Sequence, residues 1–159
     1  MYIGKNCFID EGKKSILRKK GRDMEYSGKI PSAFEYNSLR LRSKIGGTKS
    51  LKNIETALRN SLFLVSVYEK EQFIGMGRIV GDGGITFAAT DIMVDEAYQC
   101  HGIGKEIMTR IDEWFDNNTS TDSYIMLIAN KPADQLYEKY HFESIDEDKT
   151  GMLRDRKED

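Results

Sequence analysis

The stretch Asp91-Ile92-Met93-Val94-Asp95-Glu96-Ala97-Tyr98-Gln99-Cys100-His101-Gly102-Ile103-Gly104-Lys105 holds the residues whose order could do chemistry. An apolar strand runs into a short polar turn, and a glycine-spaced loop then opens a helix. Such a loop aims main-chain N–H groups and the positive end of a helix dipole at one point, and its glycines let a bulky anion approach the backbone. A phosphate or pyrophosphate would suit it. Gly102 and Gly104 equally suit close packing of a helix on a strand, so the pair alone leaves both readings open. Cys100 beside His101 offers a thiol next to a base. Neighbours in a tight loop point apart, however, and a reactive thiolate needs partial burial beside a positive partner.

Two phosphate loops fail against this stretch. The dinucleotide fingerprint needs a third glycine where Ile107 stands, and no β-α-β unit precedes it. The P-loop pattern needs Ser or Thr after Gly-Lys, but Gly104-Lys105 is followed by Glu106, and Gly47-Thr48-Lys49-Ser50 has Thr interposed.

The elements that must position the loop follow from hydrophobic spacing. Phe34, Leu39, Leu41 and Ile45 predict a helix over 32–45, closed by Gly46 and Gly47, which suit a left-handed C-cap. Leu51, Ile54, Ala57 and Leu58 predict a second helix over 50–60. Strands are expected over 62–68, 73–80 and 85–94, joined by polar or glycine-rich turns. Ile103, Ile107, Ile111, Trp114 and Phe115 give an amphipathic helix over 102–117. The apolar run 123–129 reads as a strand covered on both faces. Pro132 fits the first turn of a last helix that uses Ala133, Leu136, Tyr137 and Tyr140 and ends near His141. The order implies an α/β fold: a mixed central sheet, antiparallel meander first and parallel β-α-β unit second, flanked by helices.

Composition sets the outer limits. The chain has 159 residues, 24 basic and 26 acidic side chains, two histidines and two cysteines, with 39% apolar and 31% charged residues. That is one ordered domain able to bury its own core without disulfide or metal staples. Neither a run of 18 apolar residues nor a secretory h-region is present, so no membrane partner is expected and the cytoplasm is the expected compartment. Cys7 and Cys100 lack metal-site or disulfide-framework spacing, and no metal is expected. A net charge of −2 gives nucleic acid no global attraction. The balance is uneven along the chain: residues 1–22 carry +5 and residues 143–159 carry −3. Residues 1–23 are therefore expected to form a solvated, loosely held basic extension, with 24–159 as the single domain and Met24 as an internal alternative start.

Gln99-x-x-Gly102-x-Gly104 after an apolar strand resembles the GNAT superfamily of acyl-CoA-dependent N-acetyltransferases. Asp91-Ile92-Met93-Val94 followed by Tyr98-Gln99 is similar to that family's fourth strand entering its pyrophosphate loop. Downstream, Leu136-Tyr137-Glu138-Lys139-Tyr140-His141-Phe142 resembles the family's second hallmark, a Tyr-Glu-Lys helix end followed by glycine and Phe. The likeness spans roughly residues 62–142. Cys100, His101 and His141 depart from it, standing where members carry glycine or, in the loop, a basic residue.

The resemblance implies a GNAT-like fold and acetyl-CoA as co-substrate. Ile92, Met93 and Val94 would line its pantetheine, Gln99, Cys100, His101, Gly102, Ile103, Gly104 and Lys105 its pyrophosphate, and Asn130 its arm. Tyr137 would be the proton donor to the CoA thiolate, and Asp91 a candidate general base, with Glu96 weaker. The reaction implied is direct acetyl transfer to a primary amine of a small molecule, an amino sugar or polyamine, in a ternary complex. A non-catalytic acyl-CoA sensor and a protein amino-group acetyltransferase are the alternatives, and a homodimer is the expected assembly. Arg40, Arg42 and Lys44 form a basic helix face, read as solvated or as a dock for an anionic acceptor such as a phosphorylated amino sugar.

Overall fold

Alternating apolar runs between Phe63 and Val94 build the centre of the fold. In the computed structural model, which describes residues 15–19 and 22–154, one sheet contains β1 (Ser15–Lys19), β2 (Arg22–Ser27), β3 (Phe63–Glu69), β4 (Gln72–Gly81), β5 (Thr86–Val94) and β6 (Tyr124–Met126), in that order. Neighbours are antiparallel from β1 to β5, and β5 and β6 are parallel. The meander followed by a parallel pair is the expected α/β sheet.

Helices α1 (Ala33–Arg42) and α2 (Leu51–Arg59) contribute to one core, and α3 (Ile103–Asn118) lies across β3, β4 and β5. Strand β4 shows how the two layers are separated. Phe73 and Met76 are buried in a cluster with Tyr36, Leu39, Ile54, Leu58 and Met93. Gly75 and Gly77 lie instead beneath Ile103, Ile107 and Ile111 of α3. Burying each Leu- or Ile-sized side chain contributes about 1.5–3 kcal/mol, so the two apolar layers supply most of the drive to fold. Ser32 fixes the start of α1 through a capping box: its Oγ accepts from Glu35 N (3.2 Å), and Ser32 N donates to Glu35 Oε2 (2.7 Å).

Several expectations are corrected. The basic segment expected to be loosely held supplies β1 and the start of β2, and its register pairs Leu17 with Met24 and Arg18 with Asp23. An edge strand tolerates such charge because one side faces solvent. Residues 1–14, 20 and 21 of that segment and 155–159 of the acidic tail lie outside the described residues. The buried face of α1 is Ala33, Tyr36, Leu39 and Arg40, while Phe34 and Leu41 are exposed. Its left-handed terminal residue is Lys44 (φ +59), two positions before the glycine assigned to that role. Strand β6 is three residues long, and Tyr124, Met126 and Ile128 of the supposedly covered run are exposed.

The chain divides into two compact units between Ile128 and Ala129. The second unit holds α4 (Asp134–Tyr137), one turn of tighter helix at Glu138–Tyr140, and a tail without helix or strand. The helix expected from Pro132 thus starts two residues later and is short; the Lys131–Pro132 bond before it is cis.

Candidate active site

β5 carries the site because its ladder with β4 breaks register near its end, just before the loop. It pairs with β6 only through Thr86, Phe87 and Ala88, then continues for six residues to Val94. Against β4, Met93 faces Met76 and Thr90 faces Arg78, so Asp91 and Ile92 together oppose Gly77 alone. This is a β-bulge, a device that re-aims backbone and side chains. Asp91 takes φ +51, a left-handed value unusual within a strand.

The loop after β5 is tied at both ends. Asp95, buried, accepts from Ala97 N through Oδ1 (3.0 Å) and from Arg42 Nε through Oδ2 (2.6 Å). Arg42 also donates to Phe73 O (2.6 Å) and to Ser38 Oγ. Gln99 Nε2 donates back to Val94 O (3.1 Å), closing the turn onto the strand end. Cys100 is exposed and left-handed (φ +60), and Gly102 (φ +82) begins α3 with no side-chain cap. The first-turn amides of α3 have no intrahelical acceptor and present the positive end of its dipole. His101 Nδ1 lies 2.6 Å from Gln99 O, which places the proton on Nδ1 and spends it on the loop. With that proton on Nδ1, Nε2 of the neutral ring is an acceptor, so the loop's donors to an anion are its main-chain N–H groups.

Asp91 is not an open carboxylate. Its Oδ2 accepts from Arg78 Nε (2.7 Å) and Tyr36 OH (2.8 Å), and its Oδ1 from Arg40 Nη1 (3.4 Å). A base must offer a lone pair to the amine, and an incoming proton on Oδ2 would meet two donors already directed there. The basic face is partly committed: on α1, Arg40 pairs with Asp91 and Arg42 with Asp95, while Lys44, two residues past α1, meets Glu96 (2.6 Å) in a pair in which both side chains are exposed.

β5 and its loop therefore bring Asp91–Val94 together with Gln99–Lys105. Asn130 and Tyr137 belong to the second unit. There Asn130 is exposed and its carbonyl accepts from Ala133 N (2.7 Å), while Tyr137 is buried, which raises its phenol pKa. His141 follows with φ +64. Sequence reasoning missed Tyr36, Arg78 and Asp95. A charged Arg78 inside the apolar run 73–80 was the available signal for the second of these. Among the described residues, no group of three or more His, Cys, Asp or Glu is placed to hold a metal, and no helix is long and apolar enough to cross a membrane.

Comparison with known proteins agrees with this geometry. The model of the acetyltransferase (GNAT) family matches residues 33–142. The chain belongs to the GNAT acetyltransferase family. A protein of unknown function from meticillin-resistant Staphylococcus aureus, described as a probable acetyltransferase, is 36% identical with a TM-score of 0.79, over 84% of this chain and 99% of that one. A predicted acetyltransferase from Clostridium acetobutylicum, solved with acetyl-CoA, is 22% identical with a TM-score of 0.62, over 82% and 96%, and shows the fold alone. Histone acetyltransferase TAP1 of Glycine max is 26% identical over 130 residues, 74% of this chain and 55% of that protein. The chain spans about half the length of the curated relatives it matches.

Proposed function

We propose that this chain is an N-acetyltransferase that moves the acetyl group of acetyl-CoA to a primary amine of a small molecule by direct transfer in a ternary complex. One observation carries the reading: β5 bulges at Asp91–Ile92, runs on past β6 with only β4 paired to it, and ends in a turn and a glycine before an uncapped helix. A long, thin cosubstrate with a pyrophosphate matches that run of backbone and helix end. When bound, acetyl-CoA supplies a thioester activated toward amines. Ile92, Met93 and Val94, with Asn130, would hold its arm, and Gln99, Cys100, His101, Gly102, Ile103, Gly104 and Lys105 its pyrophosphate. Strand N–H groups at the bulge would stabilise charge developing on the carbonyl oxygen, each contributing about 3 kcal/mol in comparable acyl transfers.

Tyr137 would hold a proton at its hydroxyl for the departing thiolate. Its burial raises the phenol above the ordinary tyrosine value, so it stays protonated at neutral pH. A thiol titrates near 8.5, so Tyr137 gives the thiolate a hydrogen bond and solvent completes the protonation. For the acceptor, Arg40 and Arg42 are already paired with Asp91 and Asp95, which leaves the exposed Lys44 alone of the three cations that suggested a phosphorylated substrate. An amino sugar without phosphate or a polyamine fits better.

The test is CoA release from acetyl-CoA across a panel of polyamines and amino sugars, beside a lysine-containing histone-tail peptide. Release with a small amine is expected. Binding of acetyl-CoA without release by any acceptor would leave a sensor, and release with the peptide alone would make the acceptor a protein.

A further inference from the structure

We infer that Asp91 is a positioning residue, whose carboxylate holds the β5 bulge in place and so sets the backbone at Ile92 and Met93. The inference rests on the acetyl-CoA site proposed above. Three residues on two elements grip this one side chain. Arg78 reaches it from β4, Tyr36 and Arg40 from α1, and the two guanidiniums are themselves fixed. Arg78 Nη1 donates to Ala57 O and Ser61 Oγ, both at 3.4 Å, at the end of α2, and Arg40 Nε donates to Gly47 O (2.9 Å) in the loop before it. The Asp91 side chain is 10% exposed, and those of Arg40 and Arg78 are 10% and 13% exposed.

The backbone explains why the anchor is needed. Two residues of β5 must fit opposite Gly77, and the first of them, Asp91, sits in the left-handed region. Asp tolerates that region better than most residues, yet it does not choose it unaided. Held from two directions, the carboxylate fixes which way the extra residue buckles. The direction of that buckle decides how the amides of Ile92 and Met93 are presented. The β5 bulge is thus referenced directly to β4 and α1, and through Arg78 to the end of α2.

The experiment is calorimetric titration of acetyl-CoA into the full chain and its D91N, D91A and Y36F variants, with CoA-release kinetics alongside. Asn keeps the left-handed tolerance and one acceptor oxygen, so D91N should bind within about threefold of wild type and keep kcat within about tenfold. D91A keeps neither feature and should bind about tenfold or more weakly. Y36F removes one of two donors on Oδ2 while leaving both guanidiniums paired, so its affinity should fall about threefold with kcat at saturation unchanged. Should D91A fail to fold, D91N and Y36F decide. A general base predicts the opposite split: D91N losing about 100-fold or more in kcat at unaltered acetyl-CoA affinity, which would overturn the inference. So would a Y36F affinity equal to that of wild type, or a folded D91A that binds as tightly as wild type. A wild type that does not bind acetyl-CoA overturns the proposed function and this inference with it.

Discussion

Gly77 lies directly beneath Ile107: a Cβ on Gly77 would stand 2.6 Å from Ile107 Cγ2 and 2.9 Å from Ile111 Cδ1. The missing side chain lets α3 settle onto β4 opposite the bulge. Even a methyl group must push two buried isoleucines aside. G77A should cost about 1–3 kcal/mol in urea unfolding, and G77V more. An unchanged midpoint for G77A would show that α3 has slack at this crossing.

Cys100 and His141 both hold left-handed backbone where the family resemblance expects glycine. A non-glycine residue there costs about 1–2 kcal/mol, against about 0.5–1 kcal/mol of extra chain entropy for glycine. H141G and C100G should each raise the melting temperature by about 2–4 °C or leave it level. A clear drop would mean that the side chain earns its position through contacts.

Asp95 joins the loop to α1, and its two oxygens do separate work. D95N keeps an acceptor for Ala97 N but loses the charge opposite Arg42, whereas D95A loses both. D95A should cost about 1–3 kcal/mol in thermal or urea unfolding, and D95N less. D95A should also shrink the thermal stabilisation by acetyl-CoA. Equal losses for the two variants would show that the charge alone matters.

Alkaline pH should expose Tyr36. Burial, followed by the neighbouring Asp91 carboxylate and its hydrogen bond, raises this phenol to about 12. A group raised in the folded state contributes its full stability below the unfolded value of 10.0 and loses it as pH climbs toward 12. Urea midpoints should therefore fall across that interval, and less steeply in Y36F. Parallel curves for the two proteins would contradict the assignment.

Gly102 and Tyr137 separate binding from turnover. Gly102 has φ +82, which a β-branched residue accepts poorly, so G102V should abolish the thermal shift produced by acetyl-CoA. Y137F should keep that shift while releasing CoA more slowly. Full turnover in Y137F would take the phenol out of the reaction.

Much of the layout was legible because it depends on local spacing. Ile103, Ile107 and Ile111 recur at helical intervals and are buried, and β3, β4 and β5 end within a few residues of their turn signals. What could not be read depended on distant partners. α1 buries Tyr36 and Arg40, polar types that a hydrophobic pattern passes over, because Asp91 waits 55 and 51 residues away. β1 was hidden by its lysines and arginines, whose backbone pairs along the sheet edge whatever the side-chain charge. The run 123–129 looked doubly covered, yet its strand ends after Met126. In the site, Gln99–Gly104 announced itself by glycine spacing, while the ion pairs that occupy Asp91, Asp95 and Glu96 had no local signature.

The first hairpin shows what β1 does for the edge of the sheet. Met24 pairs with Leu17 on one side and Glu69 on the other, and it is 2% exposed. Translation from Met24 would remove β1 and leave Met24–Ser27 as a bare outer strand, its free amide and carbonyl groups open to a strand from another chain. It would also place a charged α-amino group at a buried position, which the fold could relieve only by fraying that edge. β1 thus acts as a built-in cover for the sheet edge.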